Sequence, residues 1–155
     1  MSKMYKVLLV IPPITHKEMH GGLAEAGSCE PSLGLCYLAS NLRKSGIDVE
    51  ILDSIALRLS PEQVITLILE KNPEIVGITA VTITINKAAL LVRLIKEKNK
   101  DIITVVGGPH MSAIPEQTML EFRDIDIGVI GEAEETILEL VLGLKNKRSL
   151  NNIRG

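Results

Sequence analysis

Short runs of apolar residues recur along this chain, and they limit what it can fold into more than any other feature. The first, KVLLVI at Lys6–Ile11, is aliphatic after its lysine and ends at two prolines. IVGIT at Ile75–Thr79 and the run at residues 102–106 are similar in length and composition. Runs this short and this rich in β-branched residues are typical of strands buried on both faces of a parallel sheet. DVEILD at Asp48–Asp53 and IGVI at residues 127–130 predict two further strands.

Amphipathic segments lie between these runs and predict helices. Ser32 is suited to cap the first of them, and Gly46 is a C-terminal stop. The sequence SPEQ, which begins at Ser60, combines a capping box with a proline at the first helical position. Three further helices are predicted over residues 86–99, 115–123 and 133–145. This alternation predicts a three-layer α/β fold with a doubly wound five-stranded parallel sheet. Right-handed crossovers leave few topologies, and we expect the flavodoxin-like strand order 2-1-3-4-5.

Composition excludes several classes of partner. At 155 residues and 46% apolar content the chain can form one domain with a substantial aliphatic core. Aromatic residues make up only 2%, and Tyr5, Tyr37 and Phe122 are scattered, so there is no platform for stacked bases. The net charge is −2 and no basic stripe is present. We therefore expect no nucleic-acid partner.

The termini and the cysteines indicate the compartment. The apolar run near the N-terminus is too short to cross a membrane and has no cleavage site of the signal-peptide type. Cys29 and Cys36 form neither a disulfide framework nor a zinc ligand set. The sequence predicts a cytoplasmic protein without a membrane span. It does not indicate an oligomeric state.

Unusual residues gather where ligands bind in such sheets, beyond the carboxyl ends of the strands. Gly107 and Gly108 follow the fourth strand, and two missing side chains permit the close approach of a ligand or simply a tight turn. Thr79 ends the third strand, and its hydroxyl suits either a ligand nitrogen or a backbone partner. The acidic GEAEE at Gly131 reads as ordinary helix capping, which disfavours a phosphate there.

Common nucleotide and catalytic motifs are missing. The chain has no GxxxxGK[ST] phosphate loop, no GxGxxG after the first strand and no GxSxG elbow. His16 and His20 lie four residues apart, but the prolines before them and the glycines after them favour a loop with solvated histidines. The predicted sheet is therefore of a cofactor-binding kind without the usual nucleotide signatures.

Four segments in order carry a resemblance to a known family. They are PSLGLCYLASNLRKSGIDVEILD, NPEIVGITAVTIT, VVGGPHMSAIPE and DIGVIGEAEETI. Together they resemble the cobalamin-binding domain at the N-terminus of B12-dependent radical SAM proteins, the group that includes bacteriochlorophyll cyclase-like and methylase-like enzymes. The resemblance extends from Lys6 to Gly155.

The resemblance implies a set of cofactor-binding residues. Thr79 occupies the serine position of the Ser-x-Leu motif that ends the third strand in that superfamily, and Gly107 and Gly108 match its Gly-Gly pair. A side chain at either glycine would then collide with the dimethylbenzimidazole tail of the cofactor. The implied cofactor-binding residues are Pro12, Pro13, Thr79, Ala80, Val81, Thr82, Gly107, Gly108, Pro109, His110, Gly131 and Glu132.

Two departures from the superfamily pattern stand out. Base-off domains carry Asp-x-His-x-x-Gly after the first strand, whereas this chain has Glu18-Met19-His20-Gly21-Gly22-Leu23. No metal ligand is therefore assigned, and His20 is only a weak candidate for the cobalt ligand. Ala133 stands where relatives commonly have glycine, so its methyl group could narrow the approach to the last helix.

The resemblance also implies a division into domains. Residues 1–147 correspond to the cobalamin-binding domain, and residues 148–155 resemble the start of a linker to a radical SAM domain that lies outside this chain. A CxxxCxxC motif for a 4Fe-4S cluster is missing, so the cluster and S-adenosylmethionine are expected only in that domain. This chain would then present cobalamin to a methyltransferase-type or cyclase-type partner and would not be catalytic alone. The alternatives are a flavodoxin-like interaction or regulatory module without cofactor, and a small nucleotide-binding or flavin-binding enzyme.

Overall fold

A computed structural model describes residues 5–15, 18 and 30–155. Five strands form one parallel sheet in the order β2-β1-β3-β4-β5, so the predicted topology is confirmed. The strands are β1 (Lys6–Ile11), β2 (Asp48–Asp53), β3 (Ile75–Thr79), β4 (Ile103–Gly107) and β5 (Ile127–Gly128). Because all five run in one direction, their carboxyl ends meet at a single edge of the sheet.

Helices cover both faces of this sheet. In the described part of the chain they are α1 (Leu33–Lys44), α2 (Pro61–Lys71), α3 (Ile85–Lys98), α4 (Pro109–Ala113), α5 (Pro115–Glu121) and α6 (Glu134–Lys145). Helices α1 and α6 pack with β-strand side chains such as Leu9 and Val105 on one face. Helices α2 and α3 pack with Val76 and Val106 on the other face. The aliphatic core is thus divided into two layers by the sheet.

Local signals in the sequence begin the helices as predicted. The Ser32 hydroxyl accepts a hydrogen bond from the backbone N–H of Leu35 at the start of α1. At the start of α2, Ser60 and Gln63 form the reciprocal pair of a capping box, with Pro61 at the first helical position. The short helix α4 was not predicted, and it begins directly after the glycine pair.

The edge strand β5 is shorter than the predicted run at residues 127–130. It begins at Ile127 as predicted but ends at Gly128. Just before the strand, the Asp126 carboxylate accepts hydrogen bonds from the Thr104 N–H at 2.7 Å and from the Thr104 hydroxyl at 2.9 Å. Lys96 forms an ion pair with the same carboxylate at 2.5 Å. Beyond the strand, the Val129 N–H still donates to the Val106 carbonyl. The ladder therefore continues through one bond after the strand has ended.

The C-terminal segment, residues 148–155, packs back along α6. The Arg148 N–H donates to the Gly143 carbonyl, and the Thr136 hydroxyl donates to the Arg154 carbonyl at 2.7 Å. Leu150 lies over Gly143, where an added Cβ would be 2.8 Å from the Leu150 Cδ2 atom. The segment returns toward the carboxyl edge of the sheet. No helix among the described residues has both the length and the apolar character needed to cross a membrane.

Candidate functional site

A cavity of about 490 Å³ opens at the carboxyl edge of the sheet, between α1 and α6. Its volume lies within the range of roughly 300–1,000 Å³ that is typical of small-molecule sites. The residues that line it are Leu9, Ser32, Gly34, Leu35, Leu38, Gly77, Ile78, Thr79, Val105, Gly107, Gly108, Pro109, Ser112, Val129, Gly131, Glu132, Ala133, Glu134 and Ile137. The cavity thus follows the sheet face that carries α1 and α6.

Leu9, Gly77 and Val105 form a row across β1, β3 and β4, which we call the floor of the cavity. Leu9 and Val105 are almost completely buried, and Gly77 contributes bare backbone between them. Strand β3 pairs with β1 on one side and with β4 on the other, so the peptide groups beside Gly77 are used within the sheet. The floor is therefore apolar.

Thr79 and Gly107 form the next row along the same two strands, closer to the mouth of the cavity. They lie two residues beyond Gly77 and Val105, which corresponds to about 7 Å of parallel strand. Within the described residues the Thr79 hydroxyl has no hydrogen-bond partner, so it is available to a ligand. This availability favours the ligand alternative over the backbone-partner alternative for that hydroxyl.

The structure accounts differently for the presence of glycine at positions 107 and 108. A Cβ on Gly107 would meet Val129 atoms at 3.6–3.7 Å, which is ordinary van der Waals contact. Gly108 has φ +104°, and a Cβ there would lie 2.8 Å from the Ala80 carbonyl oxygen. The fold therefore requires glycine at Gly108, whereas at Gly107 it tolerates a side chain that would project toward the cavity. Only Gly107 is left without an internal explanation.

Polar groups surround the mouth. The Ser112 hydroxyl accepts a hydrogen bond from the Gly131 N–H at 2.9 Å, which ties α4 to the turn before α6. The Asn41 side-chain amide donates to the Glu134 carbonyl and joins α1 to the start of α6. Glu132 is exposed at the same turn. The cavity thus combines an apolar floor with a polar mouth.

Six of the residues predicted to bind the cofactor line this cavity: Thr79, Gly107, Gly108, Pro109, Gly131 and Glu132. The other six lie nearby at the same edge without lining it: Pro12, Pro13, Ala80, Val81, Thr82 and His110. The Ala80 N–H donates to the Gly107 carbonyl, and the Ala80 carbonyl accepts from the His110 N–H. The Nδ1 atom of the buried His110 lies 3.3 Å from the Thr82 hydroxyl. The contacts of Ala80, Thr82 and His110 thus connect the loops after β3 and β4.

The cobalt-ligand candidate His20 and the neighbouring His16 lie outside the described residues. Glu18, at the acidic position before His20, forms an ion pair with Lys87 at 2.8 Å and accepts hydrogen bonds from Thr15. The Lys87 ammonium, followed by the Thr15 donors, lowers the pKa of Glu18 to about 2. This carboxylate is thus occupied by Lys87 and Thr15. The described residues contain no cluster of His, Cys, Asp or Glu suited to a metal ion.

Several residues that line the cavity were missed in the sequence. Gly77 is the most informative, because a glycine inside a strand is a known sign of close approach by a ligand or by backbone. The signal was present in IVGIT, where the glycine interrupts a run of larger apolar residues. Ser32, Leu38 and Ser112 carried no comparable signal. Serines that cap helices and residues on helix faces occur throughout proteins whether or not a ligand binds beside them.

Fold and site together define a doubly wound α/β domain with a ligand-sized cavity at the carboxyl edge of its sheet. Residues 19–141 match the family model for the B12 binding domain. The chain belongs to the B12 binding domain family.

Curated relatives are longer proteins. The chain is 40% identical over 153 residues to an uncharacterized methyltransferase of Pyrococcus horikoshii, and it covers 32% of that protein and 99% of its own length. It is 38% identical over 134 residues to the anaerobic magnesium-protoporphyrin IX monomethyl ester cyclase of Rubrivivax gelatinosus, covering 24% of the cyclase and 86% of its own length. The chain thus spans a third or less of these relatives.

Solved structures share the fold. The radical S-adenosylmethionine methyltransferase TsrM from Kitasatospora setae matches with a TM-score of 0.79 at 24% identity, over 97% of this chain and 27% of that one. The cobalamin-dependent S-adenosylmethionine radical enzyme OxsB, solved with aqua-cobalamin and S-adenosylmethionine bound, matches with a TM-score of 0.79 at 25% identity. That match covers 99% of this chain and 20% of OxsB. The predicted resemblance to domains of radical SAM enzymes is therefore confirmed.

Proposed function

We propose that this chain binds cobalamin in the cavity between α1 and α6 and presents the corrinoid to a radical SAM domain that follows it in a longer protein. The observation that carries the proposal is the absence of a side chain at Gly107. The fold accepts a Cβ at this position, yet the residue is bare where it faces the cavity. Membership of the B12 binding domain family supports cobalamin as the ligand.

The cavity fits the nucleotide tail of cobalamin. That tail ends in a flat aromatic base and carries polar ribose and phosphate groups nearer the corrin ring. The apolar floor of Leu9, Gly77 and Val105 suits the base, and the polar mouth suits the rest of the tail. Thr79 offers a hydroxyl that is free among the described residues, and Gly107 leaves the width that the tail needs.

Cobalt in bound cobalamin supplies a centre that can carry a methyl group, and the protein supplies the surroundings. Leu35 and Ile137 bury the tail between the two helices and exclude water from it. The Asn41 bridge to Glu134 holds these helices at a fixed spacing. The chain itself contributes binding and orientation, so turnover belongs to the rest of the protein.

A partner domain is supported by the apolar surface around the cavity. Val81, Ile83, Ile114 and Ile130 are each at least 41% exposed and lie after the carboxyl ends of their strands or on the α4–α5 connection.

We assign residues 1–147 to the cobalamin-binding domain and residues 148–155 to the start of the connection. A 4Fe-4S cluster and S-adenosylmethionine would belong to the partner, a methyltransferase-type or cyclase-type domain. The cysteine pattern supports a cytoplasmic location.

Retention of cobalamin after desalting tests the proposal. The chain is mixed with hydroxocobalamin, passed through a desalting column and examined by visible absorption. We expect retention by the natural sequence and at least about tenfold weaker binding by Gly107→Val, equivalent to about 1.4 kcal/mol. Ala89→Val is the matched control, because Ala89 lies on α3 in the opposite layer. Loss of all absorbance from the folded natural chain would overturn the proposal, as would equal retention by Gly107→Val.

A flavodoxin-like interaction or regulatory module without cofactor is the second candidate. The exposed apolar residues Val81 and Ile83 favour it, since they suit a protein partner whether or not a cofactor is bound. The same desalting experiment separates the two functions, because only the cofactor-binding function predicts retained absorbance.

A further inference from the structure

The distribution of polar groups within the cavity is uneven. Near the mouth the lining includes hydroxyl and carboxyl side chains, among them Ser112, Glu132 and Glu134. At the floor, Leu9 and Val105 offer only hydrocarbon, and the wall beside them is Ile137, which is 3% exposed. A group that reaches the floor thus enters a purely apolar environment among the described residues.

The backbone at the floor does not offer hydrogen-bond partners to a ligand either. Gly77 is the one floor residue without a side chain, and its strand is paired with β1 and β4 on its two sides. The N–H and C=O groups of a central strand are occupied by its neighbours. A polar atom placed on the floor would therefore lose its water without gaining a partner, which costs affinity.

We infer that this cavity selects corrinoids by the chemistry of their lower base, and that it favours an apolar aromatic base of the benzimidazole type over a purine. The inference rests on the proposed function, because it concerns the same cavity. Dimethylbenzimidazole presents a hydrocarbon ring edge at its far end. Adenine presents ring nitrogens and an exocyclic amine, which the floor formed by Leu9, Gly77 and Val105 cannot satisfy.

Gly77 also limits how far the base can enter. A Cβ at Gly77 would lie 2.9 Å from the Leu9 Cδ2 atom, which is the far end of a flexible side chain. The Gly77→Ala variant can therefore fold by moving Leu9, and both changes would raise the floor. We assign Gly77 as a specificity-determining residue for corrinoids that carry a nucleotide.

The test compares three probes by their dissociation constants: cobalamin, the corrinoid with adenine as its lower base, and cobinamide, which has no nucleotide. The natural chain should bind cobalamin about tenfold or more tightly than the adenine form, because one unsatisfied buried polar group costs about a factor of ten in affinity. Cobinamide should bind most weakly. Gly77→Ala should weaken both nucleotide-bearing corrinoids and leave cobinamide unchanged.

A matched pair of substitutions reports on the floor itself. Val105→Thr places a hydroxyl on the floor and should reduce the preference for cobalamin over the adenine form. Val106→Thr makes the same change one residue later in the opposite layer and should leave the preference unchanged, even if it lowers stability. Should Gly77→Ala fail to fold, this pair still decides.

The outcomes separate the inference from the proposed function. Equal affinity for cobalamin and the adenine form would overturn the inference and leave the proposed function intact. Equal affinity for cobalamin and cobinamide would overturn both the inference and the placement of the nucleotide tail in this cavity, although the chain would remain a corrinoid binder. Failure of all three probes to bind the folded chain would overturn the proposed function and, with it, the inference.

Discussion

The hydroxyl oxygen of Thr79 lies 3.0 Å from the point that a Cβ on Gly108 would occupy. The backbone of Ala80 comes closer still, with its carbonyl oxygen at 2.8 Å from the same point. The turn after β4 thus packs directly against the end of β3. The left-handed φ of Gly108 adds a second reason for glycine at this position.

Alanine at the two adjacent glycines should change different properties, stability at Gly108 and cobalamin binding at Gly107. Gly108→Ala should lower the free energy of unfolding by about 1–3 kcal/mol, because it adds both a clash and backbone strain. Gly107→Ala should leave stability within about 1 kcal/mol and weaken cobalamin binding instead. Urea denaturation and titration with hydroxocobalamin measure the two quantities. Equal destabilisation by both variants would contradict this division.

Acid should weaken the attachment of β5 through Asp126. Burial alone would raise the pKa of Asp126, but the Lys96 ion pair and the Thr104 donors outweigh burial and lower it from 3.8. The unfolded chain thus binds the proton more readily, so the stabilisation is complete well above 3.8 and is lost as the pH falls through the lowered pKa. Asp126→Asn should lower the melting temperature at neutral pH and have much less effect in acid. A difference that stays constant with pH would count against this account.

Gly143 and Leu150 should be coupled. In an exposed helix interior, Gly→Ala gains about 1 kcal/mol of helix propensity. At Gly143 the new Cβ would lie 2.8 Å from the Leu150 Cδ2 atom, so Gly143→Ala should shift the Leu150 side chain and lose part of that gain. In the Leu150→Ala background the same change should be stabilising. A double-mutant cycle by urea denaturation measures the coupling, and additive effects would show that the contact is unimportant.

Asn41 should influence binding without lining the cavity. Its side-chain amide donates to the Glu134 carbonyl and joins the two helices on either side of the cavity. Asn41→Ala removes this bond and should cost about 0.5–1.5 kcal/mol of stability. It should also weaken cobalamin binding, because α1 and α6 would no longer be held at one spacing. Ser40→Ala, at the exposed neighbouring position on α1, serves as the control, and an unchanged dissociation constant for Asn41→Ala would limit the role of Asn41 to stability.

The strands were predictable from the sequence, because each is a compact apolar run whose period and composition differ from those of the helices. The right-handed crossover rule then left few possible strand orders. Thr79, Gly107 and Gly108 were placed at the correct edge for the same reason. The end of β5 at Gly128 was not predictable, since no polar residue or proline in the run at residues 127–130 marks where the pairing with β4 stops. Gly77 could be interpreted only once β1 and β4 were known to lie on either side of it.

The division of labour between the adjacent glycines bears on how this domain could change over evolutionary time. A lineage that ceased to carry the cofactor would be free to replace Gly107, whose neighbours leave space for a methyl group. It would still have to retain Gly108 in order to keep its shape. Substitution should therefore occur at Gly107 and not at Gly108. A descendant that keeps only Gly108 would be expected to have the same fold without binding the cofactor.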